Sequence, residues 1–462
     1  MDKLRVWVWK NSKALFNWLA ILLSIVVLLL VASYFMFLPG MNKTFFMPGP
    51  STAGHYQFEE KCDLCHKPFG GIKQKACVKC HGEELNKVND SHKLRKFRDP
   101  RNTKNLDKIN VKKCRTCHKE HDLDATKNMG VTVASDFCIY CHKDIDKERP
   151  THKGLKFDGC TECHNYHDNT SLYEDFLMKH LDEKDTKNNA SIVSRNFAER
   201  YKNKNIDKAK ALSKLENDAP LSTSYTNKIL MDWESSSHAK SGVNCGKCHM
   251  DNSNVDKPKW RKRLLIENCQ ECHKSEVRGF KESRHGMRIS QRLSPMQPGL
   301  ARLPMISDQT DTQIDCNVCH GAHDYDTGFA AVEACLLCHK DKHSVNYKKS
   351  KHFKLFVDEK NSQLNNGTGV SCATCHFPRE ISKESGEEVV IVQHNQNATL
   401  RPNQKQIRPI CMKCHGLGFS LDALADKQLI MKNFNGRPKI HLESLKMVKE
   451  RIVEQSKKRG DK

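Results

Sequence analysis

The stretch FDGCTECHNYHDN, residues 157–169, sets two thiols, Cys160 and Cys163, three positions apart and follows them at once with His164. The same Cys-x-x-Cys-His pattern begins at Cys62, Cys77, Cys114, Cys138, Cys160, Cys245, Cys269, Cys316, Cys335, Cys372 and Cys411. Its second cysteines are Cys65, Cys80, Cys117, Cys141, Cys163, Cys248, Cys272, Cys319, Cys338, Cys375 and Cys414, so eleven motifs account for all 22 cysteines of the chain. The next residue is always histidine: His66, His81, His118, His142, His164, His249, His273, His320, His339, His376 and His415.

Three chemistries use paired cysteines. Disulfides suit an even cysteine count in an exported chain, but they place no demand on the following residue. Structural zinc joins two such pairs in one site, and eleven pairs leave one over. Covalent attachment of haem c needs two thiols for the two vinyl groups and an adjoining imidazole for the iron, and it alone explains the histidine. Histidine fills only 24 of 462 positions, so its recurrence after every motif is not chance. The pattern predicts eleven haem c groups, each with its motif histidine as proximal iron ligand.

Haem iron has a second axial position. Eleven histidines outside the motifs are distal-ligand candidates: His55, His92, His121, His152, His167, His238, His285, His323, His343, His352 and His394. His180 and His441 stand in reserve. His121, His167 and His323 each follow a motif histidine by three residues, too close to turn back onto the same iron, so they are expected to serve a neighbouring one. Met250, Met287, Met296 and Met305 are possible ligands of the other common kind, with packing as their simpler role.

The amino end carries a different signal. No charge falls between Lys13 and Lys43, and the apolar run Ala14–Leu38 would measure about 37 Å as a helix, enough to cross a bilayer. Lys3, Arg5, Lys10 and Lys13 precede it, which predicts a cytoplasmic amino end (residues 1–13) and a single uncleaved anchor (14–38) in the inner, cytoplasmic membrane of a bacterium. Trp7, Trp9 and Trp18 near one end and Tyr34, Phe45 and Phe46 near the other fit interfacial belts. A cleaved signal peptide is the alternative, and its apolar region would be shorter. Haem attachment outside the cytoplasm agrees with periplasmic haem modules.

A formal charge of +22 invites a nucleic-acid reading. Eleven haems would bring twenty-two propionates, and their ferric centres would restore about +11, so much of the lysine is expected to balance propionates. No nucleic-acid partner is expected. Only two tryptophans, Trp233 and Trp260, lie beyond the apolar run, too few for an ordinary core. The expected fold class is a multihaem cytochrome c: mostly α-helix and irregular coil wrapped around a haem core, one N-terminal transmembrane helix and very little β.

Residues 181–237 hold neither cysteine nor histidine and divide a five-motif module (39–180) from a six-motif module (238–462). SIVSRNFAERYKNKNIDKAKALSKLEN (191–217) reads as a helix within that linker, FKESRHGMRIS (280–290) as a helix start carrying His285, and residues 354–371 as a surface loop. EEVVIVQ (387–393) is the best strand, and Leu442, Leu445, Val448, Ile452 and Val453 recur at helical spacing, predicting a C-terminal helix.

STAGHYQFEEKCDLCHKPF, ACVKCHGEEL, CRTCHKEH, FCIYCHKDI and THKGLKFDGCTECHNYH, within about residues 52–168, resemble the class III cytochrome c superfamily. That resemblance implies mostly bis-histidine electron carriers. The anchor followed by a haem module is also similar in architecture to the tetrahaem quinol dehydrogenases. SSHAKSGVNCGKCHM (236–250) and FKESRHGM (280–287) more weakly resemble the pentahaem nitrite reductase and hydroxylamine oxidoreductase superfamily, which implies distal roles for His238 and His285. The reductases' catalytic motif, with lysine in place of histidine, does not occur here. Two functions follow as expectations. The first is electron transfer from the quinol pool or a membrane redox complex to a periplasmic or outer-membrane redox protein, with no catalytic residue. The second is an oxidoreductase acting on a small nitrogen or sulfur compound at one five-coordinate haem of the second module, with Arg284 and Arg288 as anion-binding groups.

Overall fold

The computed structural model describes residues 2–37, 47–67, 70–88, 110, 113–126, 130–134, 136–140, 142–153, 155, 159–164, 167, 174–188, 192, 210–221, 223, 225–251, 259–361, 367–384, 387–400, 402 and 404–460. Cys141, His92, Phe45, Phe46 and most of the helix expected over 191–217 lie outside them. The described chain is mostly helical and irregular, with three short antiparallel hairpins as its only sheets. They are β1 (His66–Lys67) with β2 (Gly71–Ile72), β3 (Met250–Asp251) with β4 (Lys259–Trp260), and β5 (Arg379–Glu384) with β6 (Glu387–Val392). The strand read in EEVVIVQ is β6.

Ten of the eleven motifs sit on or overlap helices of five residues or fewer, and the second lies inside the helix Gln74–Val88. One helical turn is what the spacing requires. Positions i, i+3 and i+4 share a face, so a single turn turns both thiols and the imidazole the same way. The turn is closed by the backbone N–H of the motif histidine donating to the carbonyl of the first cysteine, at 2.9 Å for His118 and Cys114, 2.8 Å for His273 and Cys269, and 2.8 Å for His415 and Cys411. Several turns are capped from the preceding residue. Asp315 accepts from Asn317 and Val318, and Ser371 accepts from Thr374.

The chain divides into two compact units, Met1–Phe137 and Cys138–Lys462. In the first, the helix Asp2–Phe37 contains one apolar stretch, Phe16–Tyr34, long and apolar enough to cross a membrane, and none of that stretch is buried. The buried turn Ser51–Ala53 is tied to the third motif through Glu120, which accepts from Thr52 N and Oγ1. In the second unit the apolar core is small: Ile407, Met412, Leu417, Leu421 and Leu424, with Leu442 and Leu445 packed on it. The C-terminal helix Ser444–Gly460 buries Val448 but leaves Val453 exposed.

Two local expectations change. The segment read as a loop over 354–371 begins as the helix Lys351–Lys360, capped by Ser350 Oγ, which accepts from Phe353 N at 3.1 Å. The helix before His285 ends at Glu282, because Ser283 Oγ accepts from the backbone of His285 and Gly286 and turns the chain. Gly286 leaves no alternative there, since a Cβ would lie 2.1 Å from the Phe280 carbonyl oxygen. His285 is therefore presented by a tight turn rather than a helix.

Candidate functional site

The structure sets nine motif histidines ring to ring with nine histidines from outside the motifs. His66 faces His121 at 6.3 Å between ring centres, His81 faces His55 at 6.0 Å and His164 faces His152 at 5.9 Å. Further along, His249 faces His323 at 6.0 Å, His273 faces His238 at 6.0 Å and His320 faces His394 at 6.3 Å. His339 faces His285 at 6.2 Å, His376 faces His343 at 6.1 Å and His415 faces His352 at 6.3 Å. His118 and His142 are outside these nine pairs, as are His167 and the reserves His180 and His441. His180 Nδ1 is instead 2.7 Å from Glu183, and the exposed His441 bonds Asp422 at 2.8 Å.

The separation is informative. Two stacked imidazole rings in contact would lie closer, so the near-parallel pairs His249–His323 and His164–His152, at 6.0 and 5.9 Å, leave a gap that neither ring fills. Two metal–nitrogen bonds of about 2.0 Å, plus about 1.1 Å from each nitrogen to its ring centre, add to roughly 6 Å. The nine pairs thus fit an iron held between them, beside thiols one and four residues back along a helical turn.

On several of the paired rings the outward nitrogen is anchored as a metal-binding imidazole requires, with Nδ1–H donating to the protein and Nε2 left as the inward atom, whereas His238 Nδ1 is buried without a hydrogen-bond partner among the described residues. Nδ1 donates to Gly49 O from His121 (2.9 Å), to Arg261 O from His249 (2.6 Å), to Val392 O from His394 (2.9 Å) and to Asp185 O from His415 (2.9 Å). His55 Nδ1 pairs with the Glu120 carboxylate, and the His343 Nδ1 bond goes to Ile430 O at 2.5 Å. On His343, Asn433 Nδ2 also lies 3.2 Å from Nε2, so that inner nitrogen already accepts a bond. His285 Nδ1 meets the Gln396 amide at 3.2 Å while Gln396 Oε1 is buried without a hydrogen-bond partner; turned over, the amide would satisfy both groups. Burial, and then the facing histidine, holds His238, His285, His352 and His376 down at about 4. These rings are neutral, the protonation state that ligates metal.

Thiols of successive motifs lie side by side. The Cys316 thiol is pushed far up by its hydrogen bond with the Cys269 thiol, and Cys335 by its bond with Cys372. Burial and then Cys269 push Cys248 up to about 11; burial and then Cys335 push Cys319 up to about 12; burial and then Cys414 push Cys375 up to about 11. In the second unit the sixth to eleventh motifs therefore follow one another in space in chain order. In the first unit Cys65 feels Cys77, and Cys77 meets Cys114. Among the described residues no two cysteines are joined in a disulfide. Among the described residues no three His, Cys, Asp or Glu side chains converge on a common metal position.

Aromatic rings line the histidine pairs, a feature that motif spacing does not announce. Trp260 stacks on His249 at 4.9 Å, Tyr325 meets His238 edge-on at 4.5 Å, and Phe419 stacks on His415 at 4.7 Å. Phe377 lies between His285 (6.5 Å) and His394 (5.5 Å), and Phe434 between His343 (6.2 Å) and His352 (6.3 Å). Each of these last two rings touches the ligand candidates of two successive motifs.

A model of the cytochrome c3 family matches residues 237–332, which span the sixth, seventh and eighth motifs and both His238 and His323. The match falls in the second half of the chain rather than on residues 52–168. No curated protein and no solved structure gives a significant match. The family match, the repeated attachment motif and a helical and coil fold with little strand together support a multihaem c-type cytochrome that binds haem c covalently and transfers electrons.

Proposed function

We propose that this chain is a membrane-anchored electron-transfer protein carrying eleven haem c groups, which takes electrons from quinol or a membrane redox complex and delivers them to a periplasmic or outer-membrane redox protein. The observation that carries the reading is the set of nine histidine pairs at 5.9–6.3 Å, each with one member in an attachment motif. Haem c, when bound, supplies a one-electron ferric/ferrous couple. The protein supplies the rest: paired axial imidazoles, backbone anchors that fix their tautomer, and a chain-ordered run of motifs that keeps neighbouring sites close. At the nine paired positions both imidazoles would hold the haem iron, which would leave no position there for a substrate and restrict those sites to electron exchange.

The membrane part of the proposal rests on the apolar stretch Phe16–Tyr34 and on the basic residues before it. The first motif begins at Cys62, 28 residues beyond Tyr34 in sequence, which is compatible with an entry site near the membrane face. The test is the full-length protein in lipid vesicles, titrated with a water-insoluble quinol while the reduced-haem absorption is followed. Reduction that requires the intact helix supports the proposal. A protein that stays oxidised with quinol but reduces fully with dithionite would overturn the quinol route.

A further inference from the structure

Facing imidazoles need not share a plane, and here they do not. The rings of His249 and His323 are 13° from parallel, whereas those of His238 and His273 are 86° apart. These belong to consecutive motifs, the sixth and the seventh. The angle matters because each imidazole donates π-density into one iron d orbital. Parallel rings load the same orbital and split the pair of orbitals, giving a rhombic low-spin ferric signal. Perpendicular rings load both equally and leave them nearly degenerate, giving a strongly anisotropic signal at large g. Groups that touch a ligand ring set its orientation.

The protein builds a separate support for each angle. At the sixth motif, β3 and β4 pair in the register Met250 to Trp260, which places the indole directly over the motif histidine. His249 is tied to the same strand twice, its carbonyl accepting from Arg261 N at 2.8 Å and its Nδ1 donating to Arg261 O at 2.6 Å. Arg261 is in turn held by Asp251 at 2.5 Å. Trp260 lies 11° from parallel with His249, so three rings share one orientation. At the seventh motif, Tyr325 meets His238 at 81° and 4.5 Å.

One short segment delivers both the ligand to the first pair and the support to the second. Gly321, His323 and Tyr325 have φ of 72°, 80° and 48°. The left-handed region disfavours residues with a Cβ, and two such residues in three positions persist only where surroundings over-determine them. Here the contacts with His249 and His238 are those surroundings.

We propose that Trp260 and Tyr325 are positioning residues that fix the ligand-plane angles at the sixth and seventh haem positions, near parallel and near perpendicular, and so make two adjacent, chemically identical bis-histidine sites electronically distinct. This rests on the axial pairing proposed above. Its consequence is a built-in asymmetry between neighbours on an otherwise uniform run.

The test is electron paramagnetic resonance of the full-length, haem-loaded ferric protein and four variants, with haem content checked by intact mass. Trp260→Leu is expected to shift or lose one rhombic component, and Trp260→Phe to retain it, because the flat ring is kept. Tyr325→Leu is expected to shift one large-g component, and Tyr325→Phe to retain it. Fully loaded Leu variants with spectra identical to the parent would overturn the proposal, as would Phe variants that shift as far as the Leu variants. His323→Ala separates this from the pairing itself. If it turns one rhombic low-spin component high-spin while both Leu variants stay silent, the pairing holds and the positioning role falls. If it changes nothing, the pairing falls too.

Discussion

His238 precedes the sixth motif by only seven residues, yet its ring faces His273 of the seventh motif at 6.0 Å. The sixth motif's own histidine, His249, is met by His323 from beyond the eighth motif. Facing histidines therefore cross between motifs, and the segments around neighbouring motifs are knitted together by chain that belongs to neither.

That crossing makes a sharp prediction. His238→Ala should convert one low-spin site of the large-g class to high spin and leave the rhombic class intact, read by electron paramagnetic resonance. Loss of a rhombic component instead would mean that His238 serves the nearer motif.

The aromatic wedges should matter to stability. Phe434 sits between His343 and His352 and packs on the small apolar core. Phe434→Ala should cost about 2 kcal/mol, less than a fully buried phenylalanine because the ring is only half-buried. Denaturant titration of the haem-loaded protein checks this. Phe434→Leu should recover most of the loss.

A pH effect is expected at the C-terminal helix. Its hydrogen bond to Asp422, and then that carboxylate's charge, raise His441 above the ordinary histidine value. A raised folded value means that the stabilisation is full below the unfolded value and fades as pH rises through the folded one. Asp422 also accepts from Leu442 N at 2.7 Å, which links the pair to the start of the helix. Hydrogen-exchange protection around Leu442 and Leu445 should therefore fall modestly between about pH 5.5 and pH 8, and His441→Gln should remove that dependence. The effect is small because His441 is largely exposed.

Removal of the cofactor should be decisive for folding. Among the described residues the buried apolar cluster is five side chains with a few neighbours, and most of the motif cysteines are only half-buried. Chain made in cells lacking the haem-attachment machinery should show little ordered secondary structure by circular dichroism and rapid proteolysis, since the ligands that order it are the cofactors. A cooperative, protease-resistant apoprotein would contradict this.

The attachment motifs were legible because the chemistry is local: five consecutive residues on one helical turn carry it. The strand Glu387–Val392 was legible from its run of β-branched residues, and the terminal helix from its apolar spacing. The partnering of histidines was not legible, because each pair closes through contacts between segments far apart in sequence, as His285 with His339 and His394 with His320 show. Proximity in the chain misleads here: His55 lies just before the first motif but faces His81 of the second. The helix Lys351–Lys360 did carry a signal, the capping Ser350, which the surrounding polar residues obscured. Trp260 gave none, since its place over His249 depends on a two-residue strand pairing with no periodicity of its own.

The central claim is that each thiol pair is thioether-linked to a haem gripped by the adjoining imidazole. Intact mass spectrometry of the native protein tests it most directly. The account predicts the polypeptide of 53.0 kDa plus eleven haem masses that survive denaturation. A mass equal to bare polypeptide, or to polypeptide with zinc, would contradict it.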